Sequence, residues 1–334
     1  MLRYLFFTEK TMTSRNRNSS IELLRIIIMY MILLLHANFL TFGAPQGHSL
    51  LSFARCFAEA FTLTPVNIFI LITGFFGTSF SLKKVMGLVY LVLFCVLPIS
   101  LLFIACHVVD FELDYLDFRR YWFINAYIGL VIVSPVLNAA VERFSRKVFK
   151  TFLISFYVIA LIDAQICIFG INISQGYSLV WFIFLYMLGR YLKQYPPSFT
   201  TRQLLLAIVV SCLGQALVLM YLHRDDYVEP FVVIQSVATL LLFAKYEFHN
   251  RAVNAIAGSV VMVYLFNLHP ILLQYFMDSL RYLYQHFSMV SFLMLALMFC
   301  AAVFIIAILY DKLRLYTWHK LLTLYSTLTQ QGVK

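Results

Sequence analysis

Ten apolar segments divide this 334-residue chain: 21–42, 57–80, 85–107, 122–141, 148–170, 178–193, 203–222, 228–245, 253–275 and 288–310. About 20 apolar residues in helical form cross the hydrocarbon of a bilayer. In lipid, every backbone N–H and C=O must find its partner within the segment, which a helix provides and irregular chain does not. The pattern predicts an all-α, polytopic membrane protein of about ten transmembrane helices. Composition agrees: 62% of residues are hydrophobic and only 12% charged, against about a quarter charged in soluble domains.

Lys and Arg set the orientation, because they favour cytoplasmic loops. With both termini in the cytoplasm, 19 of the 25 basic residues fall on the inner side. Five fall outside (Arg55, Arg119, Arg120, Arg224 and Arg281), and Arg25 lies within the first span. The outer loops are acidic instead, with Asp110, Glu112, Asp114 and Asp117, then Asp225, Asp226 and Glu229. The pI near 9.3 thus reflects topology. Its basic residues are dispersed over short loops, so the expected partner is the lipid bilayer and not nucleic acid. Three parts follow: a cytoplasmic segment 1–20, a transmembrane domain 21–310, and a tail 311–334. The tail's YDKLRLYTWHKLLTLY reads as an interfacial amphipathic helix. No A-x-A site follows a short apolar run near the N-terminus, so no cleaved signal is expected, and Met12 offers a second start.

Soluble-enzyme fingerprints (GxGxxG, the Walker loop, HExxH, GxSxG) are absent. Six scattered cysteines form no CxxC, so neither a metal site nor a disulfide framework is expected. The chemistry-bearing stretch is IELLRIIIMYMILLLH, residues 21–36, which carries three ionisable residues inside one span. Each is costly there, by at least a few kcal/mol. Eleven steps separate Arg25 from His36, which brings both to nearly the same helix face, about 16 Å apart along the axis. Glu22 sits one turn below Arg25, at the spacing of an ion pair. One reading is a polar passage along this face. Arg25 would fork onto a phosphate at the cytoplasmic mouth, and His36 would be the acid–base group deeper in. A donor with phosphates at one end of a long thin arm fits that spacing. The other reading is a snorkelling Arg with an interfacial His.

Further polar residues mark other spans. His269, in the outer half of the ninth, is a candidate to meet His36 or else a helix cap before Pro270. Asp163 is a carboxylate near the middle of the fifth, which is functional by default. Asn67 offers hydrogen bonds to a substrate or to a neighbouring helix. Gly74 and Gly77 suit close helix packing. Tyr121 and Trp122 suit an aromatic belt at the outer interface or a platform for a sugar ring.

The same residues resemble the membrane acyltransferase-3 family. Its first helix carries an acidic residue, Leu-Leu-Arg, and a His eleven positions later, as in ELLRIIIMYMILLLH here. Glu22 stands where the family usually has Asp. NIFILITGFF is similar to its second-helix segment, with Thr73 for the usual Ser. YWFINAYIGLVIVSPVLN, with Trp122, Tyr127, Pro135 and Asn138, resembles its Trp-Phe, Tyr, Pro-x-Leu-Asn segment. FLYMLGRYL, with Gly189, and GSVVMVYLFNLHPIL, with Ser259, Tyr264 and His269, resemble two later ones. The likeness spans roughly residues 19–310. It implies transfer of an acyl group, usually acetyl, from cytoplasmic acetyl-CoA to a hydroxyl of a carbohydrate. The acceptor would be a surface polysaccharide, lipopolysaccharide or lipid-linked oligosaccharide, handled in an inner or plasma membrane. The resemblance is to the stand-alone members, so no extra esterase-like domain is expected beside the helices.

On that resemblance the expected catalytic set is His36 with Glu22 and His269, and Arg25 binds the donor. Asn67, Trp122, Tyr127, Ser259 and Tyr264 form the substrate-binding set. His36 would act as general base or take the acyl group itself. Ser259, Tyr264, Asn67 or His269 would donate to the developing oxyanion. The rival class is a transporter or flippase for a polysaccharide intermediate, which also suits ionisable groups at mid-membrane. Against it, no inverted repeat and no paired Gly/Pro-broken helices are visible. A non-catalytic scaffold leaves the Glu22–Arg25–His36 stripe unexplained.

Overall fold

The computed structural model describes residues 18–331, apart from 111, 113, 114, 116 and 168–172, and apart from the side chains of 174, 321, 322 and 324–331. Five of the 19 inner basic residues (Arg3, Lys10, Arg15, Arg17 and Lys334) lie outside these residues, as do Asp114 and the stretch 168–170. Helices and their connections make up the described residues, with no strand among them. The helices are α1 (Ser19–Leu35), α2 (Leu50–Thr62), α3 (Pro65–Phe76), α4 (Leu82–Ala105), α5 (Trp122–Arg143), α6 (Arg146–Ile166), α7 (Leu179–Gln194), α8 (Thr201–Leu222), α9 (Pro230–Ala244), α10 (Arg251–Ala257), α11 (Val260–Asn267), α12 (Pro270–His286) and α13 (Met289–Gln331). Among the described residues, seven helical stretches are long and apolar enough to cross a membrane, and a bent pair would make an eighth.

Three of the ten expected segments look different in three dimensions. Segment 57–80 is two helices: α2 begins at Leu50, and the chain breaks at Leu63–Thr64 before Pro65 opens α3. Proline disfavours a helical residue ahead of it and suits the first position of a new helix. Segment 253–275 is divided among α10, α11 and α12, and the path turns by 82° between Asn267 and Pro270. The last segment does not stop at residue 310. α13 runs on past it, and Tyr90 of α4 packs on its later turns, with its hydroxyl 2.7 Å from Thr317 Oγ1 and its ring 4.9 Å from Trp318.

Prolines inside two helices free carbonyls that side chains then satisfy. Pro98 in α4 has no N–H for Phe94 O, which accepts instead from the Tyr310 hydroxyl at 2.8 Å. Pro135 in α5 frees Val131 O, which accepts from Ser134 Oγ at 2.8 Å. The tightest packing joins α3 to α7. A Cβ on Gly74 would fall on the carbonyl of Tyr186, and one on Gly189 on that of Leu71, so two backbones touch where side chains are absent. Gly77 serves otherwise: it ends α3 at φ +78°, a conformation open chiefly to glycine.

The start of α1 is fastened to the α9–α10 connection. Ser20 Oγ donates to Phe243 O at 2.8 Å, Ser19 Oγ to Asn254 Oδ1 at 2.8 Å, and Ser19 N to Phe248 O at 2.8 Å. Asn18 caps the helix through Ser20 N. From this anchor α1 and α10–α11 run side by side, so that the far end of α1 meets the far end of α11.

Candidate functional site

At that far end α1 changes pitch. Residues His36–Leu40 form a π-turn, the wider coil that often marks functional positions. Side chains from elsewhere clamp it. Thr41 Oγ1 donates to His36 O at 2.6 Å, and Arg281 of α12 donates to Thr41 O at 3.2 Å. Asn38 Nδ2 donates to Glu59 Oε2 and to Arg55 O on α2, both at 2.9 Å, while Arg55 Nε donates to Asn38 Oδ1 at 3.1 Å. Glu59 is buried at 4% exposure, so the carboxylate side of the clamp is shielded from water.

His36 itself meets Asn267, the last residue of α11. Its Nδ1 lies 2.5 Å from Asn267 Oδ1. An amide oxygen only accepts, so Nδ1 carries the hydrogen and the Nε2 lone pair is free to take a proton. The imidazole is therefore held in the tautomer of a general base. Asn267 is 1% exposed, and its Nδ2 has no hydrogen-bond partner.

His269 comes to the same end but faces away. It precedes Pro270 at the start of α12, as a helix-capping position would, yet it is wholly buried. Its Nε2 lies 3.2 Å from Ser100 Oγ and 3.4 Å from Val96 O on α4, and its Nδ1 has no partner. The partner of His36 is thus Asn267 and not His269.

At the opposite end of α1, Arg25 Nη1 stands 3.6 Å from Glu22 Oε2, the pair that i,i+3 spacing gives. The Arg25 side chain is 32% exposed and its Nε has no partner. A second guanidinium, Arg190 of α7, also has an unpartnered Nε, and it lies against Gly77 where any Cβ would collide with it.

Aromatic rings fill the space between α5, α7 and α11. Phe123 is the hub: Trp122 lies 6.0 Å away, Tyr127 6.1 Å, Phe182 5.3 Å and Tyr264 5.7 Å. Tyr264 is buried, and its hydroxyl finds no hydrogen-bond partner. Trp122 extends the group to Tyr177 at 4.5 Å, and Tyr177 to Tyr227 at 4.9 Å. Tyr177 is exposed. Although the ring is exposed in part, local desolvation of the phenol pushes it up, Asp225, Asp226 and Glu59 add to that, and a hydrogen bond with Tyr227 opposes it. In the α8–α9 turn, burial pushes the Asp226 carboxyl up to about 6, with Asp225 and Glu229 adding to the effect.

Three expected residues are engaged elsewhere. Asn67 is fully buried and uses both ends of its amide on protein: Nδ2 donates to Tyr227 O at 2.8 Å, and Oδ1 accepts from Trp181 Nε1 at 3.0 Å. Ser259, at the break between α10 and α11, accepts from Lys312 Nζ at 2.8 Å. It lies eight residues, or about 12 Å of helix rise, before Asn267. Asp163 is buried in the last turn of α6 and not near its middle, because that helix ends at Ile166. Asn138 has a structural post, donating to Thr78 O at 2.8 Å and accepting from the Tyr186 hydroxyl at 2.6 Å.

A family model described as an acyltransferase domain matches residues 18–311, from the cap of α1 into α13. The chain belongs to the acyltransferase-3 family. The match takes in both ends of α1, the π-turn and the α11–α12 bend, so the acyltransferase holds its candidate base within the matched domain. With its apolar helices, the acyltransferase is a multi-pass membrane protein. No curated protein and no solved structure matches it. Asn267, Asn38 and Glu59 join the site from outside the expected set. The available signal was polarity inside apolar runs: a carboxylate at 59 and an amide at 267 are both costly in a span unless partnered.

Proposed function

We propose that this acyltransferase moves an acyl group, acetyl foremost, from acyl-coenzyme A to a hydroxyl of a carbohydrate. The observation that carries the reading is His36, fixed as a base by Asn267, on the same helix as an Arg25 whose guanidinium is incompletely paired. In this reading the chain crosses the membrane ten times, counting α2–α3 and α10–α11 as one span each, with α12 lying across the bundle. Both termini and the Arg25 end face the cytoplasm, as the basic bias of the loops supports. The membrane is an inner or plasma membrane.

Coenzyme A enters at the Arg25 end, where the guanidinium forks onto its phosphates and Glu22 orients Arg25. The thioester arm reaches up the face of α1. The acceptor, a surface polysaccharide, lipopolysaccharide or lipid-linked sugar, lies by Trp122, Tyr127, Tyr264 and the acidic α8–α9 turn. Stacking on rings and hydrogen bonds to carboxylates are what a sugar offers and needs. His36 Nε2 takes the hydroxyl proton as oxygen attacks the thioester carbonyl. The C–S bond then breaks, and the thiolate takes the proton from the imidazolium. Membranes holding the protein, supplied with radiolabelled acetyl-coenzyme A, test this. Label is expected in glycan. Glycan crossing the membrane without label would replace the reading with a transporter.

A further inference from the structure

Attack on a thioester puts negative charge on the former carbonyl oxygen, and enzymes stabilise it with donors already in place. Few residues near His36 can supply that donor. Asn67 has both ends of its amide bonded to protein, and Ser259 lies about 12 Å of helix rise from Asn267. His269 turns its Nε2 to Ser100 Oγ and Val96 O on α4, and it is not a partner of His36. The Tyr264 hydroxyl lies a turn below the end of α11 and its ring packs on Phe123. Asn267 Nδ2 remains.

Three observations single it out. Its amide oxygen is bonded to His36 Nδ1 at 2.5 Å. Covalent geometry puts the two ends of an amide about 2.2 Å apart, so the free N–H groups stand beside the imidazole. And that nitrogen is buried in a residue 1% exposed with no protein atom to bond. An orphaned buried donor is costly to keep. The fold nevertheless builds it at a helix end that stops because His269 precedes Pro270.

Resting on the acyl-transfer reading above, we propose that Asn267 is a catalytic residue: its oxygen holds His36 in the base tautomer, and its nitrogen donates to the oxyanion of the tetrahedral intermediate. One carboxamide thus serves both the proton and the charge of the same step. When the C–S bond breaks, the oxyanion returns to a carbonyl and the donor is released.

Asn267→Asp separates the two duties, because it keeps an oxygen for His36 and removes the N–H donor. Steady-state kinetics on purified protein should show kcat lower by about 10²- to 10³-fold, with KM for acetyl-coenzyme A within about threefold. Asn267→Ala, lacking both ends, should be at least as slow. Coenzyme A binding reports folding for each variant, and where the Asp variant does not bind, the Ala variant decides on the same thresholds. Retention of more than a third of kcat overturns the donor role. Hydrolysis of the thioester by water, assayed without any sugar, passes through the same oxyanion. If wild type transfers nothing to glycan yet hydrolyses the thioester, the acceptor reading fails while Asn267 is still judged by the hydrolysis rate. If neither reaction occurs in wild type, both fall.

Discussion

The two ends of α1 are built on opposite plans. At the His36 end the π-turn is tied down on three sides: to α2 through Asn38, Arg55 and Glu59, to α12 through Arg281, and to α11 through Asn267, whose Nδ2 alone of that amide stays unbonded beside the imidazole. At the Arg25 end one loose ion pair of 3.6 Å leaves a guanidinium nitrogen with no partner. A group that must transfer a proton gains from a fixed angle, since rate falls steeply with misplacement. A group that must receive a polyanion gains from unspent donors, since each one already paired inside the protein would have to be broken first. The difference reads as chemistry at one end and capture at the other.

The strongest way to break that division is His36→Ala. Loss of the general base should lower turnover about 10³-fold, while coenzyme A binding, measured by equilibrium displacement, stays near wild type. A variant with near-normal turnover would remove the chemistry from this end. Arg25→Lys should do the reverse and do less. A point charge in place of a fork keeps attraction and loses the second hydrogen bond, so KM for acetyl-coenzyme A should rise about tenfold with kcat within about twofold. An unchanged KM would leave the Arg25 end without its assigned ligand.

These two residues, and the pair Arg25 makes with Glu22, were legible in the sequence because helix geometry alone relates them. Period and rise fix which residues share a face, and no tertiary contact is needed. The helical class was legible for the same reason, from run length. The Asn267 contact was not. It joins residues 231 apart, and it depends on a π-turn and an 82° bend that apolar periodicity does not encode. Asn67 shows the converse: a buried amide inside a span looks like a ligand for substrate until both its ends are seen to hold Tyr227 and Trp181. Asp163 was misplaced because a run of apolar residues gives a segment's existence more firmly than its end.

The smallest effect sharpens the contrast by asking how dry the His36 side of the molecule is. Asp226 lies in the α8–α9 turn, beside the Tyr227 whose carbonyl Asn67 holds, and it is 6% exposed. Burial pushes its carboxyl up to about 6, helped by Asp225 and Glu229 and opposed by Arg224, whereas an unfolded aspartate titrates near 3.9. Between about pH 4 and 6 the folded protein therefore binds a proton that the unfolded chain has released, and stability falls as pH rises through that window. Above it, the native state carries a buried charge that Asn would not. Asp226→Asn should raise the melting temperature in detergent by about 2–4 °C at pH 8, and the gain should vanish at pH 4, where both side chains are neutral. Equal melting curves for the two proteins at pH 8 would mean that solvent reaches the α8–α9 turn as freely as it reaches Arg25, and the contrast between a sealed end and an open one would lose its outer wall.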